Sequence, residues 1–116
     1  MSIVEVREGG LTVRLSTAEK VLALHGDVHV ARSQVLRAFS VDDPWHVLRG
    51  IRMPGAGLPG VIALGTWRWW GRGTSGRDFC VVRGRGPGVV VDLRDHDFAR
   101  LLLSVDTPGE VTGPLR

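Results

Sequence analysis

Gly55-Ala56-Gly57-Leu58-Pro59-Gly60-Val61-Ile62-Ala63-Leu64-Gly65-Thr66-Trp67, followed at once by Arg68-Trp69-Trp70-Gly71-Arg72-Gly73, is the stretch on which the reading of the fold depends. Its first part reads as a glycine-rich turn that feeds a strand over Val61–Trp67. Its second part reads as that strand running out into a basic, aromatic hairpin. Alternation along a strand puts Trp67 and Trp69 on one face and Arg68 and Trp70 on the other.

Working outward, the same short-strand rhythm recurs. Ile3, Val4 and Val6, then Leu11, Val13 and Leu15, alternate with polar residues around Gly9-Gly10, as two strands joined by a glycine turn do. Thr17–Leu24 follows a capping residue at Ser16 or Thr17 and stops at Gly26, which predicts a short helix. Val28 and Val30 return to a strand pattern, and Val35, Arg37, Phe39 and Val41 form the next. Asp42–Gly50 has an aspartate cap, proline at the first helical position and a terminal glycine, the signature of a small helix packed as a lid by Trp45 and Leu48. Strands are predicted at Phe79–Arg83, Gly88–Leu93 and Phe98–Val105. A capped helix starts at Thr107 and is interrupted by Gly113-Pro114.

Composition agrees with this reading. The 116 residues suit one domain spanning 1–116, and 43% hydrophobic with 23% charged residues is globular rather than disordered. Sixteen glycines and six prolines favour short strands and tight turns. The fold class expected is all-β, about seven or eight antiparallel strands with short helical insertions, connected as a meander because nearly every link is hairpin-sized. The single cysteine, Cys80, cannot form an internal disulfide and fits a reducing compartment. Met1 leads straight into strand-like sequence with no basic or apolar leader, so the expected location is cytoplasmic.

Taken together, Val30-Ala31-Arg32-Ser33-Gln34-Val35, Gly57-Leu58-Pro59-Gly60 leading to Gly65-Thr66-Trp67, and Arg100–Val105 followed by Asp106-Thr107-Pro108-Gly109-Glu110-Val111 resemble the small actinobacterial type of pleckstrin-homology (PH)-like domain. The resemblance spans most of the chain and rests on shape rather than on a chemical signature. It implies a two-sheet barrel or a pair of packed sheets, closed at one end by a C-terminal helix. Ala31 stands where the family usually has proline, and Gly113-Pro114 cuts the last helix short. Better-known PH domains bind phosphoinositides through basic residues on their first loop. Here that loop is Glu8-Gly9-Gly10, so the activity does not carry over.

Three constellations can be read for chemistry. His25, Asp27 and His29, spaced by two, would share one face of a strand and present two imidazoles and a carboxylate to a metal, as in a small metal-dependent enzyme. The simpler reading is that they line a solvated strand with Asp27 serving a turn, since no fourth ligand lies nearby. Asp92, Asp95, His96 and Asp97 can be read as an acid–base cluster or as turn residues. Cys80 sits in a buried-looking strand. No cofactor motif is present: the glycine runs at 71–73 and 84–88 match neither a phosphate loop nor a dinucleotide fingerprint.

The remaining signal is the hairpin. Residues 66–86 hold five arginines against Asp78, a local balance of +4 in a chain of +3. The candidate binding surface is therefore Arg68, Trp70, Arg72 and Arg77, with no catalytic residues assigned. Its expected partner is another protein or a second copy of the chain; the alternative is an anionic membrane surface. Nucleic acid ranks last, because the basic excess is local and the remaining sequence is slightly acidic.

Overall fold

The central strand of the larger sheet is the three-leucine segment Leu101-Leu102-Leu103, and the chain reaches it by a route that hairpin counting does not predict. The computed structural model describes residues 3–23, 25–58, 60–71 and 73–115, with the backbone alone at 3 and 52–56. Leu24, Pro59 and Arg72, which enter the readings above, lie outside the described residues.

The smaller sheet is a three-stranded antiparallel meander of β1 (Ile3–Arg7), β2 (Gly10–Arg14) and β3 (Val28–Ala31). Leu11, Val13, Val28 and Val30 point inward, while His29 between them is exposed. Gly10 cannot be replaced by a larger residue: its φ is 146°, and a Cβ there would lie 2.0 Å from the Val30 carbonyl oxygen. Between β2 and β3 lies α1 (Thr17–Ala23). Its start is a reciprocal capping box. Ser16 Oγ accepts from the Glu19 N–H at 3.2 Å, and the Glu19 carboxylate accepts from the Ser16 N–H at 2.9 Å.

The larger sheet has the order β4-β8-β9-β7-β6-β5. Its strands are β4 (Val35–Val41), β5 (Ile51–Leu58), β6 (Ile62–Gly71), β7 (Thr74–Arg83), β8 (Gly88–Leu93) and β9 (Arg100–Ser104). The fold is therefore β-rich and two-sheeted with a short C-terminal helix, as the sequence implies, and its connectivity departs from a simple meander. After β7 the chain skips one strand position to form β8, then turns back so that β9 fills the gap. It pairs antiparallel with β8 and parallel with β7. Leu101, Leu102 and Leu103 are all buried, because both edges and both faces of this strand are occupied.

The second departure is β5. Residues 55–58, read above as a turn, form a strand whose Gly55 and Gly57 oppose Gly65 and Ala63. Small residues facing each other let the two backbones pair. Pro54 falls where the β5–β6 register shifts between Arg52 and Gly55, so its missing N–H interrupts no regular rung.

Both faces of the larger sheet are covered. Leu64, Phe79, Val81, Val89, Val91 and Leu103 pack in one cluster with the inward residues of the smaller sheet and with Val111 and Leu115. On the other face Ala63, Trp67, Cys80, Val82, Val90 and Leu102 are covered by Phe39, Val41, Trp45, Val47 and Leu48. The small helix read at Asp42–Gly50 is a 3-10 turn at Pro44–His46, capped by Asp43, which accepts from the Trp45 N–H at 3.0 Å. Its lid role holds: the Trp45 indole donates to the Gly84 carbonyl at 2.8 Å. After α2 (Pro108–Thr112) the chain narrows into a 3-10 turn at Gly113–Leu115, where glycine and proline end the α-helix.

One ion triad ties three strands together. Asp92 on β8 accepts from Arg37 Nε of β4 at 2.5 Å and from Arg100 Nε of β9 at 2.7 Å. Burial acts to raise the Asp92 carboxyl, but the hydrogen bonds and charges of Arg100 and Arg37 outweigh it and hold the group below its ordinary value. The sign of its effect on stability follows. The folded chain binds this proton less readily than the unfolded chain, so the contribution is complete above roughly pH 4 to 5 and is lost as pH falls through the lowered value. Asp92→Asn is expected to cost about 2 kcal/mol near neutral pH and to flatten the acid limb of stability, measured by urea denaturation from neutral to acid pH. Leu102→Ala, which hollows the central strand, is expected to cost about 3 kcal/mol at every pH in the same assay.

Candidate functional site

β6 and β7 are ten residues each, twice the length of the smaller sheet's β1 and β2, and their distal halves carry the exposed Arg68 and Trp70 and the half-buried Arg77. Gly71 pairs with Thr74 across a two-residue connection in which Gly73 has φ 78°, a conformation suited to glycine. Thr74 Oγ1 donates to the Gly71 carbonyl at 2.8 Å and closes the turn. The register then sets Trp70 opposite Ser75, Trp69 opposite Gly76, Arg68 opposite Arg77 and Trp67 opposite Asp78.

The two faces of this hairpin differ in kind. On one, Trp67 is buried and Trp69 lies across Gly76, where an added Cβ would come within 2.5 Å of the indole. Asp78, only 2% exposed, collects three donors. The Trp69 indole N–H donates to Oδ1 at 2.9 Å, and Arg49 donates from Nη2 to Oδ1 at 3.0 Å and from Nε to Oδ2 at 2.6 Å. The Arg49 guanidinium stacks on Trp69, 4.2 Å from the ring centroid. Arg49, Asp78 and Trp69 thus brace the hairpin to the β4–β5 connection.

The other face is open. Trp70 is 61% exposed, the largest exposed aromatic among the described residues. Arg68 and Arg77 oppose each other beside it, and Arg77 lies over the Phe98 ring at 5.5 Å. Arg68, Trp70, Ser75, Arg77 and Asp97 contribute to the lining of a cleft of about 240 Å³. Arg72, the fourth residue assigned to this surface from sequence, lies outside the described residues.

The other arginines whose side chains are described are internally satisfied. Carboxylates lie within 3.9 Å of Arg7, Arg14, Arg37, Arg49, Arg83, Arg85 and Arg100. Arg32 and Arg94 donate to backbone carbonyls of Pro114 and Ser33. Among the arginines whose side chains are described, Arg68 and Arg77 alone meet neither a carboxylate nor a carbonyl. Like charges directly opposed on a ladder are destabilising, by up to about 1 kcal/mol, so the sheet gains nothing from this pair.

The other candidates are dispersed. His25 packs against Phe79 and Phe98 at centroid distances of 5.1 and 5.4 Å. Asp27 accepts from the Leu15 N–H at 2.8 Å, which holds its carboxyl below the ordinary value with help from the Lys20 charge. His29 is exposed on β3 and shares a hydrogen bond with Thr12. The three do not converge, because only His29 lies within a strand, and among the described residues no group of three His, Cys, Asp or Glu is placed to hold a metal ion. Asp92 is committed to its arginines. His96 accepts from the Phe98 N–H through Nδ1 and faces the His29 carbonyl through Nε2, so it serves the turn. Asp95 adopts φ 52° in the same turn. Cys80 is fully buried, and burial with the nearby Asp78 charge pushes its thiol well above the ordinary value, away from a reactive thiolate.

Sequence reading finds the open face through alternation but misses the brace. The available signal is Asp78, the one acid in an arginine-rich run, whose partners Arg49 and Trp69 become visible only once the register is known. No helix among the described residues is long and apolar enough to cross a membrane. No protein-family model, no curated protein and no solved structure matches the chain.

Two substitutions test this geometry. Gly76→Ala is expected to displace Trp69 from Asp78 and destabilise the fold by about 1–3 kcal/mol, with an altered tryptophan emission spectrum. Arg68→Glu replaces a repulsive cross-strand pair by an attractive one with Arg77, and is expected to raise the melting temperature by about 1–4 °C, read by calorimetry.

Proposed function

We propose that this chain is a non-catalytic binding module that docks on an acidic protein surface through the open face of the β6–β7 hairpin. The observation that carries the reading is the pair Arg68 and Arg77, neither of which forms an ion pair with a carboxylate, beside an exposed Trp70. Tryptophan and arginine are the residue types that most often dominate binding energy at protein interfaces. The brace on the opposite face supports the same reading, since a surface held in one conformation loses less entropy on docking. A two-fold dimer through this face would bring four guanidiniums together, so the reading favours a different protein over a second copy. No cofactor enters it, and a cytoplasmic, reducing setting suits the lone Cys80.

Kinship with bacterial PH-like domains belongs to this proposal. Two packed sheets and a short closing helix, with Val111 and Leu115 buried against the core, support it.

A second reading is peripheral binding to an anionic membrane, favoured by Trp70 lying near the hairpin tip with Arg68 on the same face. The two readings separate in one experiment. Purified protein is tested against immobilised poly-glutamate and against phosphatidylglycerol vesicles, at low and at physiological salt. Salt-sensitive retention on poly-glutamate alone, lost in Arg68→Ala and Trp70→Ala, is the expected result. Pelleting with the vesicles that both variants abolish would select the membrane instead. Retention unchanged in both variants would remove the hairpin from the function.

A further inference from the structure

We infer that Arg68 and Arg77 form a subsite for a phosphate monoester group. The inference rests on the hairpin's open face being the binding surface and names the chemistry that this face takes.

Directly opposed residues on an antiparallel ladder have Cβ atoms about 5 Å apart, so both guanidiniums can close on one group between them. Each guanidinium presents a planar fork of donors that matches phosphate oxygens. A carboxylate has two oxygens and fills one fork. A phosphate monoester has three free oxygens and close to two negative charges, enough to engage both forks and the Ser75 hydroxyl on the same cleft wall.

The site is also held in place before any ligand arrives. Arg77 lies over Phe98, whose backbone is fixed by its N–H bond to His96 Nδ1. The strands that carry the pair are braced from behind by Asp78, Arg49 and Trp69. A cleft of about 240 Å³ exceeds the size of the phosphate itself and leaves room for its substituent beside Trp70. Asp97, in the lining, lowers the local positive potential.

The test follows the arginine Nε–H resonances of the full chain by NMR during titration with inorganic phosphate, with sodium chloride at matched ionic strength as control. Saturable shifts confined to Arg68 and Arg77 are expected. They should be absent in Arg68→Glu, a variant expected to fold at least as stably as the parent, and the affinity should tighten severalfold in Asp97→Asn. Shifts that follow ionic strength alone, that spread evenly over all arginines, or that persist in Arg68→Glu would overturn the subsite.

Its failure is distinguishable from failure of the docking reading. Saturation by phosphate without poly-glutamate retention keeps the subsite and discards acidic-protein docking. Retention without saturation does the reverse. Phosphatidic acid vesicles, compared with phosphatidylglycerol vesicles at equal charge, give the source of the monoester. Pelleting with phosphatidic acid alone places it on a lipid, and no pelleting places it on a soluble molecule or side chain.

Discussion

The structure depends on one insertion: β9 between β7 and β8. Its three leucines are buried along a strand with a parallel neighbour on one side and an antiparallel neighbour on the other. Without it, β8 and β4 would have no strand pairing with the β5–β6–β7 meander. The insertion also sets where support ends. Ladder pairing between β9 and β7 stops at Asp78 opposite Arg100, with one further backbone bond from the Ala99 N–H to the Arg77 carbonyl at 2.7 Å. Asp78 is therefore the last residue of the hairpin to stand opposite a β9 residue in the ladder. The same residue gathers Arg49 and Trp69, so the brace begins where the ladder runs out.

Charge is used in two ways in this chain. Asp92 and Asp78 are buried acids, each satisfied by guanidinium groups, and each joins segments far apart in sequence. Pairs of this kind hold geometry more than they add net stability, because desolvation offsets much of the attraction. Most of the arginine content is explained by such partnerships, which reduces what the high basicity alone says about function. Among the arginines whose side chains are described, Arg68 and Arg77 are the two that no carboxylate or carbonyl meets.

How much was legible follows the same division. Local patterns were readable: Gly88–Leu93 was bounded correctly by its glycine and its run of valines, and α1 by Ser16 and Gly26. Alternation placed Trp67 with Trp69 and Arg68 with Trp70 without further information. Non-local choices were not readable. Nothing in Phe98–Val105 distinguishes a strand at the edge of a meander from one inserted at the centre, since both need leucines. Gly55 and Gly57 looked like turn residues because their partners, Gly65 and Ala63, acquire meaning only through pairing. The opposition of Arg68 to Arg77 follows from counting back from the two-residue turn, but that turn had to be located first.

The brace and the open face share the same strands and differ only in parity. Residues 67, 69, 76 and 78 hold the hairpin, and residues 68, 70, 75 and 77 face outward. Changes at the second set leave the first untouched, so the outward residues can drift through sequence space without passing through unfolded intermediates. A hairpin built this way is an interchangeable head on a fixed stem, and related chains could carry quite different outward residues over one unchanged scaffold.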